Sequence, residues 1–307
     1  MAIEITTTVE SLAQAKALLE SGVDAIYFGD EKFGLRLPAY FSREEQKELV
    51  ALAHGYGKKA IIAVNGIMHP EKMLDIPEYL TFLEEIKVDQ ITVGDTGVIF
   101  LLQKNEVKIP YIYDAHTLVT SARQINFWGK RGAVGAVVAR EVPYLEMKEM
   151  AEKLTVFGEV LVYGATCIHQ SKRPLVENFF SYIKSDDSVG KERGLFISEP
   201  KKEDTHYSVY EDEHGTHIFA DSDVNLMTEL DKLNEIGITH WKLDGIYSPG
   251  DNFVEITTLF IEAKELIEKG EWSEGVAQSL TNKVIELHPN ERSLDTGFFL
   301  MDPDEVK

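Results

Sequence analysis

Ser21-Gly-Val-Asp-Ala-Ile-Tyr-Phe-Gly29 decides how this chain is read, because its plan returns twice. Arg131-Gly-Ala-Val-Gly-Ala-Val-Val-Ala-Arg140 and Ile236-Gly-Ile-Thr-His-Trp-Lys-Leu-Asp244 repeat it. Each segment is a helix stop, then a short apolar strand, then a small or charged residue. Glycine ends a helix by adopting the left-handed conformation. A short unbroken apolar run after it suits a parallel strand covered on both faces. Working outward, the same reading predicts strands at Ile3–Thr7, Ala25–Phe28, Ala60–Val64, Gln90–Val93, Tyr111–Tyr113, Gly135–Val138, Val160–Val162 and His240–Leu243. Helical patterns fall between most of them, at 10–21, 43–54, 76–87, 97–104, 120–131 and 143–153. Ser42-Arg-Glu-Glu45 reads as a capping box. Gly22, Gly55, Gly132 and Gly237 are placed as positive-φ helix stops.

Eight strands in this alternation predict an α/β fold, a TIM-like (β/α) barrel with helices outside. A doubly wound open sheet is the alternative. No Gly-x-Gly-x-x-Gly follows the first strand, which removes the usual dinucleotide fingerprint. The rhythm breaks after Lys172. Residues 1–172 and 221–270 are assigned to the barrel. Residues 173–220 form a polar insertion, with Glu211-Asp-Glu-His-Gly215 turning a hairpin between Thr205–Tyr210 and Thr216–Ala220. Residues 271–307 are a C-terminal helical tail.

The chain has 307 residues, 44% of them hydrophobic, which suffices for a full core. No apolar run reaches the roughly 18 residues that span a bilayer. The start, Met1-Ala-Ile-Glu-Ile-Thr6, lacks a basic region and an apolar signal core, so a cytoplasmic protein is expected, with no membrane partner. The net charge of −21 repels phosphates, so a bare RNA-binding role is disfavoured unless a local basic pocket or a basic partner reverses it. Cys167 is the one cysteine, which excludes an internal disulfide and any four-thiolate zinc or iron–sulfur site within the chain. No metal site is expected in this chain alone.

In such a barrel the chemistry gathers where the strands end. That rule selects Arg36 in the loop after the second strand, Asn65 and His69 after the third, Asp95 after the fourth, and Asp114 and His116 after the fifth. It adds Arg140 and Glu141, then Tyr163, Cys167 and His169, then Asp244. The arginines and histidines suit an anionic small molecule. Cys167 with His116 or His169 suits a thiol nucleophile and its base, His116 being better placed. Each residue also has a plainer reading. Asn65, Asp95 and Asp114 could cap helices or fix turns, Arg140 and Glu141 could pair with each other, His69 could be a loop residue, and Cys167 a small hydrophobe.

Ala15-Lys-Ala-Leu-Leu-Glu-Ser-Gly-Val-Asp-Ala-Ile-Tyr-Phe-Gly29, Phe33-Gly34, Asn65 with His69, and Ala139-Arg-Glu141 resemble segments of peptidase family U-32, the collagenase-like peptidases. So do Glu159-Val-Leu-Val-Tyr-Gly-Ala-Thr-Cys167, Asp221-Ser-Asp-Val-Asn-Leu226 and Trp241-Lys-Leu-Asp-Gly245. Their order and spacing cover about residues 3–265. Full members of the family carry further cysteines that resemble [4Fe–4S] ligands. Here Arg173-Pro174 stand near the second position and none follows. Tyr163 replaces the family's histidine, and Ile246-Tyr247 replace an arginine. The pattern is similar to a short, cysteine-poor type that pairs with a longer, cysteine-complete homologue. The resemblance implies a subunit of a system making 5-hydroxyuridine at the tRNA wobble position. It further implies a [4Fe–4S] cluster on that partner, prephenate as a co-substrate, and tRNA met through the complex. The alternatives are a collagenase-like protease, a hydrolase with Cys167 as nucleophile, or a non-catalytic binder of a small carboxylate. The sequence contains neither His-Glu-x-x-His nor Gly-x-Ser-x-Gly.

Overall fold

The computed structural model describes residues 2–306. Met1 and Lys307, which end the assigned segments, lie outside the described residues. From the N-terminus the chain forms β1 (Glu4–Thr8), α1 (Leu12–Ser21), β2 (Ala25–Gly29), α2 (Arg43–Gly55), β3 (Lys59–Val64), α3 (Pro70–Met73), α4 (Ile76–Glu85), β4 (Gln90–Val93) and α5 (Thr96–Lys104). Then come β5 (Tyr111–Tyr113), α6 (Ala122–Gly129), β6 (Ala133–Val137), α7 (Tyr144–Ala151) and β7 (Phe157–Ser171). Next are α8 (Leu175–Ile183), β8 (Phe196–Glu199), β9 (Lys202–Asp212), β10 (Gly215–Asn225), α9 (Leu230–Glu235), β11 (His240–Leu243), α10 (Asp251–Lys269), α11 (Glu274–Leu287) and β12 (Ser293–Asp295).

Strands β1 to β7 pair in sequence order, all parallel, and β11 pairs in parallel with both β1 and β7. The sheet is therefore a closed eight-stranded barrel, and the open-sheet alternative is ruled out. The helices begin where the local chemistry directs. The Ser11 hydroxyl accepts from Gln14 N at 3.1 Å, and Ser42 and Glu45 complete the capping box. Gly22, Gly132 and Gly237 take positive φ, as predicted. Gly55 does not. It is the last residue of α2, and Gly57, two residues on, makes the turn at φ 67°.

The strands present one side chain outward to the helices and the next inward. The outer layer is apolar, with Ile26, Phe28, Ile62, Val64, Trp241 and Leu243 packed on the helix faces. Each such burial stabilises the fold by roughly 1.5–3 kcal/mol. The inner layer is mixed. Ala25, Tyr27, Ile61, Ala63 and Ile112 fill it, yet Lys242 and Glu159 are buried there too. The Lys242 ammonium lies 3.4 Å from the Tyr27 ring centroid and 3.7 Å from Glu159 Oε1. The Tyr27 hydroxyl meets that of Thr92 at 2.8 Å. Burial raises the Glu159 carboxyl's pKa, a shift that the Lys242 charge opposes.

Beyond its barrel portion β7 continues for fifteen residues in all, and the chain leaves the barrel. Strands β9 and β10 form an antiparallel hairpin turned at Glu213-His214, and β10 returns antiparallel along β7. Strand β10 runs unbroken from Gly215 to Asn225. After the long helices α10 and α11, β12 pairs in parallel with β10. Nothing in the three residues of β12 signals a strand beforehand, because the pairing comes from the partner edge.

Two β-bulges steer β7. The first falls between Leu161 and Tyr163, where the register with β11 shifts. It leads into Gly164 at φ 123°, where an added Cβ would collide with the Asp244 carbonyl. Gly164→Ala should therefore destabilise the protein by about 2–4 kcal/mol. Gly194→Ala, also at positive φ but in open space, should cost only about 1 kcal/mol. Urea unfolding of both variants checks the difference.

Candidate active site

At the carboxyl ends of the barrel strands lies a cavity that is open to solvent. Eight of the residues selected from the sequence meet there: Arg36, Asn65, Asp114, His116, Arg140, Glu141, Cys167 and Asp244. Two others do not. His69 sits at the start of α3, makes no capping hydrogen bond and does not line the cavity. Tyr163 is fully buried on the outer side of the barrel, because the first bulge turns it away from the lumen. Its hydroxyl bonds Ser248 Oγ at 2.8 Å and His288 Nδ1 at 2.7 Å, and its ring packs near Phe253 and Phe260. Asp95 is a helix cap, accepting from Gly97 N at 2.7 Å.

Several groups hold the mouth in shape. Asn65 Oδ1 accepts from Leu35 N at 3.0 Å, and its amide donates to Asp114 Oδ2 at 2.8 Å. Asn65 thus fixes the loop that carries Arg36 and the carboxylate opposite it. Arg36 and His116 both adopt left-handed backbone, at φ 53° each. That conformation costs a side-chain-bearing residue on the order of 1–2 kcal/mol. It persists where the surroundings hold it, often at functional sites. The two residues touch: Arg36 Nη2 donates to His116 Nδ1 at 2.7 Å, while Nη1 donates to Gln170 Oε1 at 2.8 Å. An arginine always donates, so His116 Nδ1 must carry a lone pair.

The electrostatics agree. Burial, and then the Arg36 charge, bring the His116 pKa down to about 4, against the opposing pull of Asp114. Burial alone would raise Asp114, but His116, Lys242, Asn65 and Arg36 outweigh it and hold the carboxyl at about 2. Asp244 goes the other way: burial raises it despite Arg140 and Lys242. Asp244 also accepts from Ile246 N at 3.0 Å. Arg140 donates Nη1 to the Ala165 carbonyl at 2.6 Å rather than pairing with Glu141, whose Oε2 is buried without a partner. Among the described residues, this is the one hydrogen bond Arg140 makes, of the five donors it carries. Cations and spare donors at an open mouth can seat a carboxylate or phosphate. A neutral imidazole and a carboxyl with raised pKa can move a proton there.

Sequence reasoning missed Tyr27 and Lys242, which line the floor. The rule of looking at strand ends passed over them because they lie inside strands. A lysine in the middle of the apolar run His240-Trp-Lys-Leu243 was the available signal. It also missed His217, fully buried on β10, whose Nε2 lies 2.9 Å from Asp212 Oδ1. Burial raises the Cys167 thiol, but His217, Arg36 and Arg140 more than offset that and lower its pKa.

The family model named peptidase family U32 matches residues 10–307. The chain belongs to this family. It is 34% identical over 300 residues to tRNA hydroxylation protein P2 of Bacillus subtilis, covering 96% of this chain and 97% of that protein. It is 27% identical to tRNA hydroxylation protein P1 of the same organism, covering 79% of this chain and 58% of P1. Against tRNA hydroxylation protein P of Escherichia coli the identity is 21%, covering 79% of this chain and 63% of the relative. The chain thus spans nearly all of P2 but under two-thirds of P1 and P. Among solved structures the U32 peptidase Mk0906 superposes with a TM-score of 0.50 at 16% identity, over 79% of this chain and 92% of that one. Proteus mirabilis N-acetylneuraminate lyase gives 0.52 at 12%, over 92% and 81%. Both likenesses concern the fold.

The [4Fe–4S] cluster implied by fuller family members does not fit this chain's residues. Cys167 is the one thiol, and its partner across the ladder is Phe219. Among the described residues no group of three or more His, Cys, Asp or Glu could hold a metal ion. No helix there is long and apolar enough to cross a membrane.

The depressed His116 pKa has a testable sign. Between pH 6.5 and about 4 the unfolded chain binds a proton at this site that the folded chain refuses. Stability from His116 is complete above pH 6.5 and falls as pH drops toward 4, by on the order of 2 kcal/mol. NMR titration should show the His116 ring neutral until about pH 4. Arg36→Ala should move that midpoint upward.

Proposed function

We propose that this chain is a subunit of a tRNA hydroxylation system, one that forms 5-hydroxyuridine at the wobble position. The observation that carries the reading is the match to tRNA hydroxylation protein P2 over nearly the full length of both chains. A longer, cysteine-complete homologue of the P1 kind is the proposed partner and holds the [4Fe–4S] cluster. The single thiol of this chain motivates that division of labour. The charge of −21 supports a subunit that meets tRNA through the complex and works in the cytoplasm.

Within the assembly this chain supplies the barrel mouth. Its ligand is a small carboxylate, with prephenate as the co-substrate. Arg36 and Arg140 receive the carboxylates, and Asn65 and Asp114 hold Arg36's loop and His116 in place. Charge-assisted hydrogen bonds of this kind contribute about 1.5–3 kcal/mol each. Arg140→Ala should therefore weaken prephenate binding about tenfold to a hundredfold in calorimetry. No heat of binding from the wild type at millimolar prephenate would remove this ligand.

The decisive experiment is nucleoside mass spectrometry of total tRNA from cells with and without the gene. Loss of 5-hydroxyuridine and its derivatives, restored by the intact gene, is expected. Unchanged nucleosides, also in strains lacking the other family members, would overturn the reading. The position of Cys167 on the cavity wall supports a second reading, a peptidase with this thiol as nucleophile. Gelatin cleavage lost in Cys167→Ala would establish it, and cleavage unchanged in that variant would dismiss it.

A further inference from the structure

We propose that Cys167, which lines the cavity, forms a nucleophilic relay with His217 and Asp212 of the β9–β10 hairpin, and that its electrophile is C6 of a uracil ring. The choice of uracil rests on the tRNA-uridine reading above. The relay itself rests on the strand geometry.

Strands β7 and β10 pair antiparallel with Cys167 opposite Phe219, His169 opposite Ile218 and Gln170 opposite His217. The register shift between Ile218 and Phe219 is a bulge at Ile168, the second on β7. A bulge reverses the alternation of faces. Cys167 and Gln170 therefore share a face, and so do His217 and Phe219, two residues apart on β10. Cys167 and His217 become diagonal neighbours, within side-chain reach. Arg36 bonds Gln170 on that same face at 2.8 Å.

The His217 ring is held for one task. Nε2 donates to Asp212 Oδ1 at 2.9 Å. Asp212 is itself fixed by His214 N at 2.8 Å and by the Tyr40 hydroxyl at 3.0 Å. With its proton on Nε2, the neutral ring keeps a lone pair on Nδ1. That atom is buried and has no hydrogen-bond partner, which is costly unless it has a use. The thiol donates to the His169 carbonyl at 3.3 Å. Facing Cys167 are His217, Arg36, Arg140 and, more distantly, Tyr247. Burial lowers the imidazole's basicity, but Asp212 and Cys167 raise it further, matching a base that takes the thiol proton.

The C5=C6 bond of uracil is conjugated with the C4 carbonyl, so a soft nucleophile adds at C6. The Cys167 proton passes to His217 Nδ1, and the S–C6 bond forms. The C5=C6 pair moves onto C5 and O4, where Arg36 or Arg140 stabilises the enolate oxygen. C5 then takes a proton from solvent. Reversal removes a proton from C5, breaks S–C6 and returns the thiol. The cycle consumes no oxidant, and it turns C5 into the nucleophilic carbon that a hydroxylation at that position needs. A flipped-out base can reach such a pocket.

The test uses the chain together with its longer homologue, and tRNA from the deletion strain as probe, in heavy water. Mass spectrometry should show deuterium at C5 of the wobble uridine, lost in Cys167→Ala. No exchange, or exchange unchanged in that variant, overturns the proposal. A second arm needs no RNA. Cys167 is the only thiol, so iodoacetamide labelling reports it alone. His217→Gln and Asp212→Asn, shown folded by circular dichroism, should label at least about tenfold more slowly at pH 6, with the pH profile moved upward. Wild-type profiles in both would overturn the relay. If deletion of the gene removes 5-hydroxyuridine and Cys167→Ala restores it fully, the relay fails while the tRNA reading stands. If deletion changes nothing, the tRNA reading fails and the labelling profile still decides the relay.

Discussion

Strand β11 pairs with both β1 and β7, and the rest of the molecule depends on that closure. Closing the sheet directs the carboxyl ends of eight parallel strands to one rim. It also encloses the inward side chains, among them Lys242 and Glu159, in a space that water reaches poorly. A lysine and a carboxylate there are tolerable only because each lies near the other, and because Tyr27 offers its ring face to the ammonium. The polar pair beneath the cavity is thus set by barrel architecture rather than by a loop.

The mouth combines two kinds of constraint. Arg36 and His116 occupy backbone conformations that cost energy, and their mutual hydrogen bond helps hold them. Asn65 and Asp114 bond each other, Asn65 also holds Leu35 N, and Asp244 holds Ile246 N. Preorganisation of this type lets charged donors meet a ligand without reorganising. The excursion contributes from the other side. Gln170, on the extension of β7, and His217, on β10, lie beyond the barrel, yet they share the ladder with Cys167, and Gln170 accepts from Arg36.

Much of this was legible in the chain. Each of the eight barrel strands was located within a few residues, apart from the far longer β7, because a parallel strand covered on both faces leaves a short apolar run between helix signals. Eight rim residues were found by one rule, that loops after such strands converge. Tyr163 defeated the rule because a bulge adds a residue and turns its side chain outward. His69 defeated it because it begins α3, outside the cavity lining. Tyr27 and Lys242 escaped because they lie inside strands, and His217 because its strand begins at a hairpin distant in sequence from Cys167.

The sequence by itself determined the class of fold, the places of its barrel strands and the poverty of thiols that separates this chain from cluster-bearing relatives. Those features follow from local periodicity and from composition. Only the tertiary structure decided which imidazole neighbours the thiol, which arginine donates to His116, and which polar groups share the lumen. These are matters of register and bulge, where a shift of one residue reverses a side chain's face, and no local pattern records that shift.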